Sequence, residues 1–379
     1  MKKTLFMITT AFFWFSLYAY IPELSTYAED LGATYKMIGL ITGAYGFTQA
    51  LLRIPLGIFS DTINRKKIFV QFGLIITLIS CIITFTYPAV YSLLVTRILA
   101  GVAASTWVLF TVLFASYYKS EESPKAIGII NGCNAAGQLS AMLLGGVISL
   151  NFGTRYLYLL GSIGAATGLI LSLFIEENRD LDRTPLKIKE LASIALEPTL
   201  VKVSVLAILS QFITYATALG FVPIVARELG ASSLQLSWIA AINIVPGIWI
   251  SAITGTVFVK WWGGNRTLIY GFALSAILCI LIPLVPNLWL LMVVQFLAGV
   301  GRSMVFPLLM AFGIKKVNQR KRATAMGFFQ AIYGIGMLFG PIILGAIGEQ
   351  FGLGIGFVIT GLIGLGAIII IMKYKIAEV

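Results

Sequence analysis

The sequence predicts an all-α polytopic membrane protein, with twelve transmembrane helices in two pseudo-symmetric six-helix bundles. Three observations predict it. Of 379 residues, 59% are hydrophobic and only 11% are charged, with a mean hydropathy of +0.95. No soluble domain can hide that balance in its core. The apolar residues also fall into runs of roughly 20, the length a helix needs to cross a bilayer. Finally, the chain is written twice. Arg97-Ile-Leu-Ala-Gly101-Val matches Gln295-Phe-Leu-Ala-Gly299-Val at an offset of 198, and Asp30-Leu-Gly-Ala33 matches Glu228-Leu-Gly-Ala231 at the same offset. Gly128, Asn131, Gly137, Gly146 and Phe152-Gly153 match Gly327, Gln330, Gly336, Gly345 and Phe351-Gly352 at 199.

The first expected span covers 5–27. Met1-Lys2-Lys3 before an apolar run resembles a secretory leader, but the run reaches about Tyr20 with aromatics throughout and no small-x-small cleavage site. It is therefore expected to be a retained helix. The second and third spans, 36–59 and 68–87, flank a short polar loop with the basic cluster Arg65, Lys66 and Lys67. Spans at 90–117, 125–150 and 155–175 complete a first bundle, residues 1–175. A polar segment, 176–199, carries both charges and Pro185, and is expected to be a cytoplasmic linker. The second bundle, 200–379, holds spans at 200–226, 234–259, 267–285, 287–313, 323–349 and 353–372.

The net charge of +12 follows topology. With the amino terminus inside, the segments on that side gather Lys2, Lys3, Arg65, Lys66, Lys67, Lys119, Lys125, Arg179, Arg183, Lys187, Lys189, Lys315, Lys316, Arg320, Lys321 and Arg322, among others. The opposite side keeps only Lys36, Arg155 and Arg227. This positive-inside bias puts both termini in the cytoplasm of a plasma (inner) membrane and makes the lipid bilayer, not nucleic acid, the partner of the basic charge. There is no histidine, which removes His-based catalysis, His metal ligation and a His proton switch. Cys81, Cys133 and Cys279 lie far apart inside spans, so neither a disulfide framework nor a metal site is expected.

The loop Gly57-Ile-Phe-Ser-Asp61-Thr-Ile-Asn64-Arg65-Lys66-Lys67 resembles the signature between the second and third helices of the major facilitator superfamily, with Asn64 where that family usually has Gly. Arg97-x-x-x-Gly101 resembles a second motif of the family, and Leu24 to Tyr27, Gln49 and Pro55-Leu-Gly57 look most like its twelve-helix drug:proton antiporter branch. The fifth span departs from that branch, since Ala141-Met142 stands where a Gly-Pro pair is usual. The resemblance implies two parallel halves related by an axis along the membrane normal, with the first, fourth, seventh and tenth helices around a central cavity. It also implies a gating role for Gly57, Asp61, Arg65 and Lys66. Asp61 would meet the start of the eleventh helix near Thr324 when the inner face is closed, and Arg65 would pair with Glu121 or Glu122.

Ionisable groups inside spans are expensive and so are candidates for transport. Arg97 cannot lose its proton and must face a carboxylate, a carbonyl or a wet cavity. Glu23 lies about one turn inside the first span after Pro22. Paired with Arg97 it stays ionised, and stripped of water it favours the protonated form of a proton carrier; reaching up to the outer surface is the other reading. Arg302 falls near the middle of the tenth span, and Arg53, lower in the second, is expected to be a snorkelling or interface residue rather than a substrate ligand. Asn131, Asn134 and Gln138 in the fifth span, with Gln330 and Tyr333 in the eleventh, form a second polar set, explained equally by interhelical hydrogen bonding and by substrate contact. Three embedded positive groups against one acid fit an anionic, zwitterionic or amphipathic substrate. Aromatic faces from Phe13, Trp14, Tyr18, Trp107, Phe110, Tyr215, Trp249 and Phe306 could instead take a cation, or simply pack.

No Gly-x4-Gly-Lys-Ser/Thr loop is present, which argues against an ATP-driven pump, and no catalytic constellation marks an enzyme. The expectation is a monomeric secondary transporter with no cofactor, driven by the proton gradient. Two functions remain: proton-coupled efflux of drugs or metabolites, and uptake of a small organic anion.

Overall fold

The computed structural model describes residues 2–63, 65–119, 122–177, 196–315, 317 and 322–376, without the side chains of 61–62, 123–124 and 322–324. Among the described residues all regular structure is helical. In the amino-terminal half the helices are α1 (Lys2–Tyr18), α2 (Leu24–Asp30), α3 (Tyr35–Ile63), α4 (Lys66–Thr86), α5 (Val90–Ser105), α6 (Trp107–Ala115), α7 (Ser123–Phe152) and α8 (Arg155–Leu173). In the carboxy-terminal half they are α9 (Pro198–Ala216), α10 (Val222–Glu228), α11 (Ser233–Ile244), α12 (Gly247–Ile253), α13 (Val259–Trp262), α14 (Gly264–Leu281), α15 (Leu288–Lys315), α16 (Arg322–Phe351) and α17 (Leu353–Tyr374).

Eleven helical stretches are long and apolar enough to cross a membrane. The expected span 36–59 is a single helix, the 29-residue α3, but it is not among the eleven. The reason is its polar content: Thr48, Gln49 and Arg53 are all buried against protein, where a helix need not be apolar. The polar linker expected at 176–199 lies outside the described residues over 178–195.

The sequence repeat reappears as repeated geometry. α1 gives way to a turn and then a 3₁₀ turn, Ile21–Glu23, where Pro22 has no N–H to continue the ladder. At an offset of 198 from Ala19–Glu23, α9 gives way to the π turn Thr217–Phe221. Helix crossings repeat as well. A Cβ at Gly101 on α5 would stand 2.4 Å from the Tyr45 carbonyl oxygen on α3. At Gly299 on α15 it would stand 2.3 Å from the Asn243 carbonyl oxygen on α11. Only glycine permits either approach.

Two seams join the halves. α16 lies along α3, and α7 lies along α11. They too are related by the repeat, since Gly345 packs on the Tyr35 carbonyl while Gly146 packs on Leu234 and Ser237. Both seams are closed toward the face that carries Glu29, Asp30, Arg227 and Glu349. There the Arg227 guanidinium donates to Asp30 Oδ1 at 2.7 Å and also to Glu29 Oε2, and the Lys36 amide donates to Glu349 Oε2 at 2.8 Å. Toward the basic face the seams part. Gly128, Gly132, Gly57 and Gly327 have no described neighbour within 4 Å of a Cβ position.

Candidate functional site

Arg97 is held by its own helix. Gly101, one turn further on, lets α5 press onto α3, where the Thr48 hydroxyl donates to the Ile98 carbonyl at 3.0 Å. This brings the Arg97 guanidinium over the face of Tyr45, 4.5 Å from the ring centroid. The side chain is 3% exposed, and its Nε has no hydrogen-bond partner among the described residues. Tyr18, Tyr20, Tyr45 and Tyr215 surround it with phenols. Tyr45 stacks on Tyr215 across the boundary between the halves, with centroids 6.1 Å apart and planes at 14°.

Arg302 on α15 donates to the Asn243 carbonyl at 3.0 Å. Tyr18 shares a cavity wall with Arg97 and lies within electrostatic reach of Arg302 as well. Of the two expectations for Arg53, snorkelling and an interface, the structure shows an interface between helices. The side chain is 3% exposed and donates to the Tyr333 hydroxyl at 3.2 Å and to the Ala104 carbonyl at 3.5 Å, because α16 covers that face of α3. Among the described residues no carboxylate forms an ion pair with Arg53, Arg97 or Arg302. A cavity of about 10 Å³ lies between Leu17, Tyr18, Tyr45, Arg97 and Tyr215, with walls from both halves. That is room for roughly one water. A second cavity, of about 20 Å³, lies within the carboxy-terminal half beside Asn243, Ser275, Gln295 and Arg302.

Glu23 is not paired with Arg97. Its Oε2 accepts from the Ser149 hydroxyl at 2.7 Å, Thr154 at 2.8 Å and Ser233 at 3.2 Å. The 3₁₀ turn aims this carboxyl sideways into the α7–α11 seam, so it does not reach the outer surface either, and it is 3% exposed. The second polar set is not gathered into one place. Asn131 is exposed, Gln138 donates to Asn134 on its own helix, Tyr333 serves Arg53, and Gln330 keeps a buried Oε1 without a partner. Asn131 and Gln330 therefore differ in burial despite their equivalent repeat positions. Phe13, Trp14, Trp107 and Phe110 pack on one another, and Trp249 is exposed.

At the basic face the Asp61 side chain and its expected contact at Thr324 lie outside the described residues, as does Glu121. Arg65 is exposed, and among the described residues no ion pair joins it to Glu122. Lys66 opens α4, and the amides of Lys66 and Lys67 are held by Glu177, whose Oε2 accepts from Lys67 N at 3.1 Å. That carboxylate at a helix N-terminus satisfies orphan donors and complements the helix dipole. Nothing in the loop sequence points to Glu177, because its partner is 111 residues away. The pairing of Tyr45 with Arg97 was within reach of sequence reasoning, since both are polar positions of one repeat unit.

Comparison with known proteins places this architecture. The sequence profile of the Major Facilitator Superfamily matches residues 6–207 and again 203–378. The multi-drug resistance efflux pump PmrA of Streptococcus pneumoniae is 26% identical over 355 residues, covering 90% of this chain and 88% of its own. The inner membrane transport protein YajR of Escherichia coli is 25% identical over 351 residues, covering 88% and 74%. A bacterial homologue of the human lysosomal transporter Spinster, solved in an inward-facing and occupied conformation, superposes with a TM-score of 0.80 over 99% of this chain and 96% of its own at 16% identity.

Proposed function

This chain belongs to the Major Facilitator Superfamily, a family of multi-pass membrane transporters rather than enzymes, and we propose that it exports small organic anions across the plasma membrane by alternating access, coupled to the proton gradient. The observation that carries the anionic substrate is Arg97. A guanidinium stays charged, and a buried charge without a counter-ion is costly. Its contact with Tyr45 offsets roughly 2 kcal/mol. An incoming carboxylate, sulfonate or phosphate would supply the missing counter-ion, with the charge of Arg302 adding to the attraction. The stacked phenols Tyr45 and Tyr215 favour an anion with an apolar or aromatic body.

Export is supported by relatives named as efflux pumps and by the parting of the seams toward the basic face. With the basic face in the cytoplasm, the parted seams lie on the side from which an exporter loads. The test is flux of a fluorescent aromatic carboxylate and an equally lipophilic cation in oriented proteoliposomes, with internal pH recorded. Wild type should move the anion outward with opposed proton movement. Arg97→Gln and Arg302→Gln should each lower apparent affinity about 10- to 100-fold, the worth of a charge-assisted hydrogen bond. Equal transport of the cation, untouched by either variant, would sink the anion reading. Inward flux with co-moving protons would make the protein an uptake carrier.

A further inference from the structure

The two seams are the same construction furnished differently. At an offset of 198, Glu23 corresponds to Phe221 and Ser233 to Tyr35. In the α3–α16 seam Phe221 meets Tyr35 edge-on, with centroids 6.1 Å apart, and Phe221 is fully buried. In the α7–α11 seam the matching pair is a carboxyl and a hydroxyl, Glu23 and Ser233, 3.2 Å apart. Closing a seam therefore does not require an acid. A carboxyl costs more to bury than an aromatic ring, and no cation bonds it among the described residues.

We propose that Glu23 is a proton-binding latch of the outer gate: the seam closes over the neutral carboxylic acid and opens when the proton leaves. The proton would thus act on the gate rather than by competing with substrate at the arginine cluster. The three hydroxyls that hold Glu23 come from both sides of the seam, Ser149 and Thr154 from the amino-terminal half and Ser233 from the carboxy-terminal half. Each hydroxyl both donates and accepts, so the closed seam can bond the neutral acid. The groups around it do not neutralise a carboxylate. On α2, Asp30 has the same sign, and it and Glu29 are bound by Arg227 of α10. Arg155, at the start of α8, is turned away onto the carbonyls of Phe85, at 2.6 Å, and Thr86. Tyr20 and Tyr158 stack on each other, the Tyr20 phenol lies by Arg97, the Tyr158 hydroxyl has no hydrogen-bond partner among the described residues, and Tyr27 packs on Tyr158. α7 and α11 bring only hydroxyls to the carboxyl. Closing the seam over a carboxylate would strip water from a charge with no counter-ion, and a proton removes that cost.

The sign follows. Closure takes up a proton, so the closed outer gate is favoured as pH falls and the open one as pH rises, by up to tenfold per pH unit for one linked proton. The inference rests on alternating access but not on the anionic substrate. The test uses the full chain in nanodiscs without substrate. The native cysteines are replaced, and spin labels are placed at Asn151→Cys and Gln350→Cys, exposed positions at the outer end of each half. The inter-label distance is scanned from about pH 5 to pH 9. Wild type should populate a longer distance as pH rises. Glu23→Gln, permanently neutral and of the same shape, should stay closed at every pH. Ser233→Ala, which removes the bond across the seam but not the acid, should open more readily and keep the pH slope. A Glu23→Gln protein with the wild-type pH profile overturns the proposal. A wild-type distance that stays fixed from about pH 5 to about pH 9 also overturns the latch, and leaves the anionic-substrate reading standing.

Discussion

The two halves share a skeleton but not a chemistry. In the amino-terminal half Gly101 seats α5 on α3 and lays Arg97 over Tyr45. At the matching place in the other half Gly299 seats α15 on α11, and there Gln295 faces Asn243, whose amide donates to the Gln295 side chain at 3.2 Å and to its carbonyl at 3.1 Å. One unit ends in a charge with an unbonded Nε, the other in a neutral pair of amides. The glycines and carbonyls that set the crossing are the same, because close packing between helices admits few solutions. The side chains at the crossing are free to differ, and transport chemistry is expected where they do.

Four substitutions, at three places, would break or sharpen that comparison. The largest effect should come from the shared skeleton. Gly101→Ala and Gly299→Ala each drive a Cβ to within 2.4 Å of a carbonyl oxygen, and each should destabilise by about 3 kcal/mol or prevent assembly. Thermal unfolding in detergent would show it. If one is harmless, the crossings are not equivalent. Next comes the aromatic seam. Tyr35→Ala removes the edge-on contact with Phe221 and should favour the open outer gate by about 1 kcal/mol, equally at every pH. Label distances at two pH values would check this, and a pH-dependent effect would erase the contrast with Glu23. The smallest effect should be Arg227→Ala. Its ion pairs with Glu29 and Asp30 are a third or more exposed, so gate closure should weaken by about 0.5 kcal/mol, less in high salt. A larger, salt-independent change would move the centre of the gate to that cluster.

Several features could be read directly. The apolar runs become helices at nearly the expected bounds, with 287–313 found at Leu288–Lys315 and 353–372 at Leu353–Tyr374. Arg97 stands out in the sequence because an arginine inside a span must face a carboxylate, a carbonyl or a wet cavity. Glu23 stands out as well, but its partners do not. Paired with Arg97 or extended to the surface were the two readings, and the turn at Pro22 instead directs it between Ser149, Thr154 and Ser233. For Arg53 the sequence leaves snorkelling and an interface both open, because it shows the depth of a residue along a helix but not which face a second helix will cover.

By itself the sequence determined that the chain lives in a membrane, that it is built from a repeated unit, and which few side chains carry charge at depth. Those properties are local or periodic, and they follow from the cost of placing polar groups in hydrocarbon. Tertiary structure alone decided which charges keep a partner. Arg227 finds two carboxylates, Glu177 finds the start of α4, Glu23 finds three hydroxyls, and Arg97 finds only phenols. Partnership depends on how helices distant in sequence rotate and cross, and close packing across the whole bundle sets those angles.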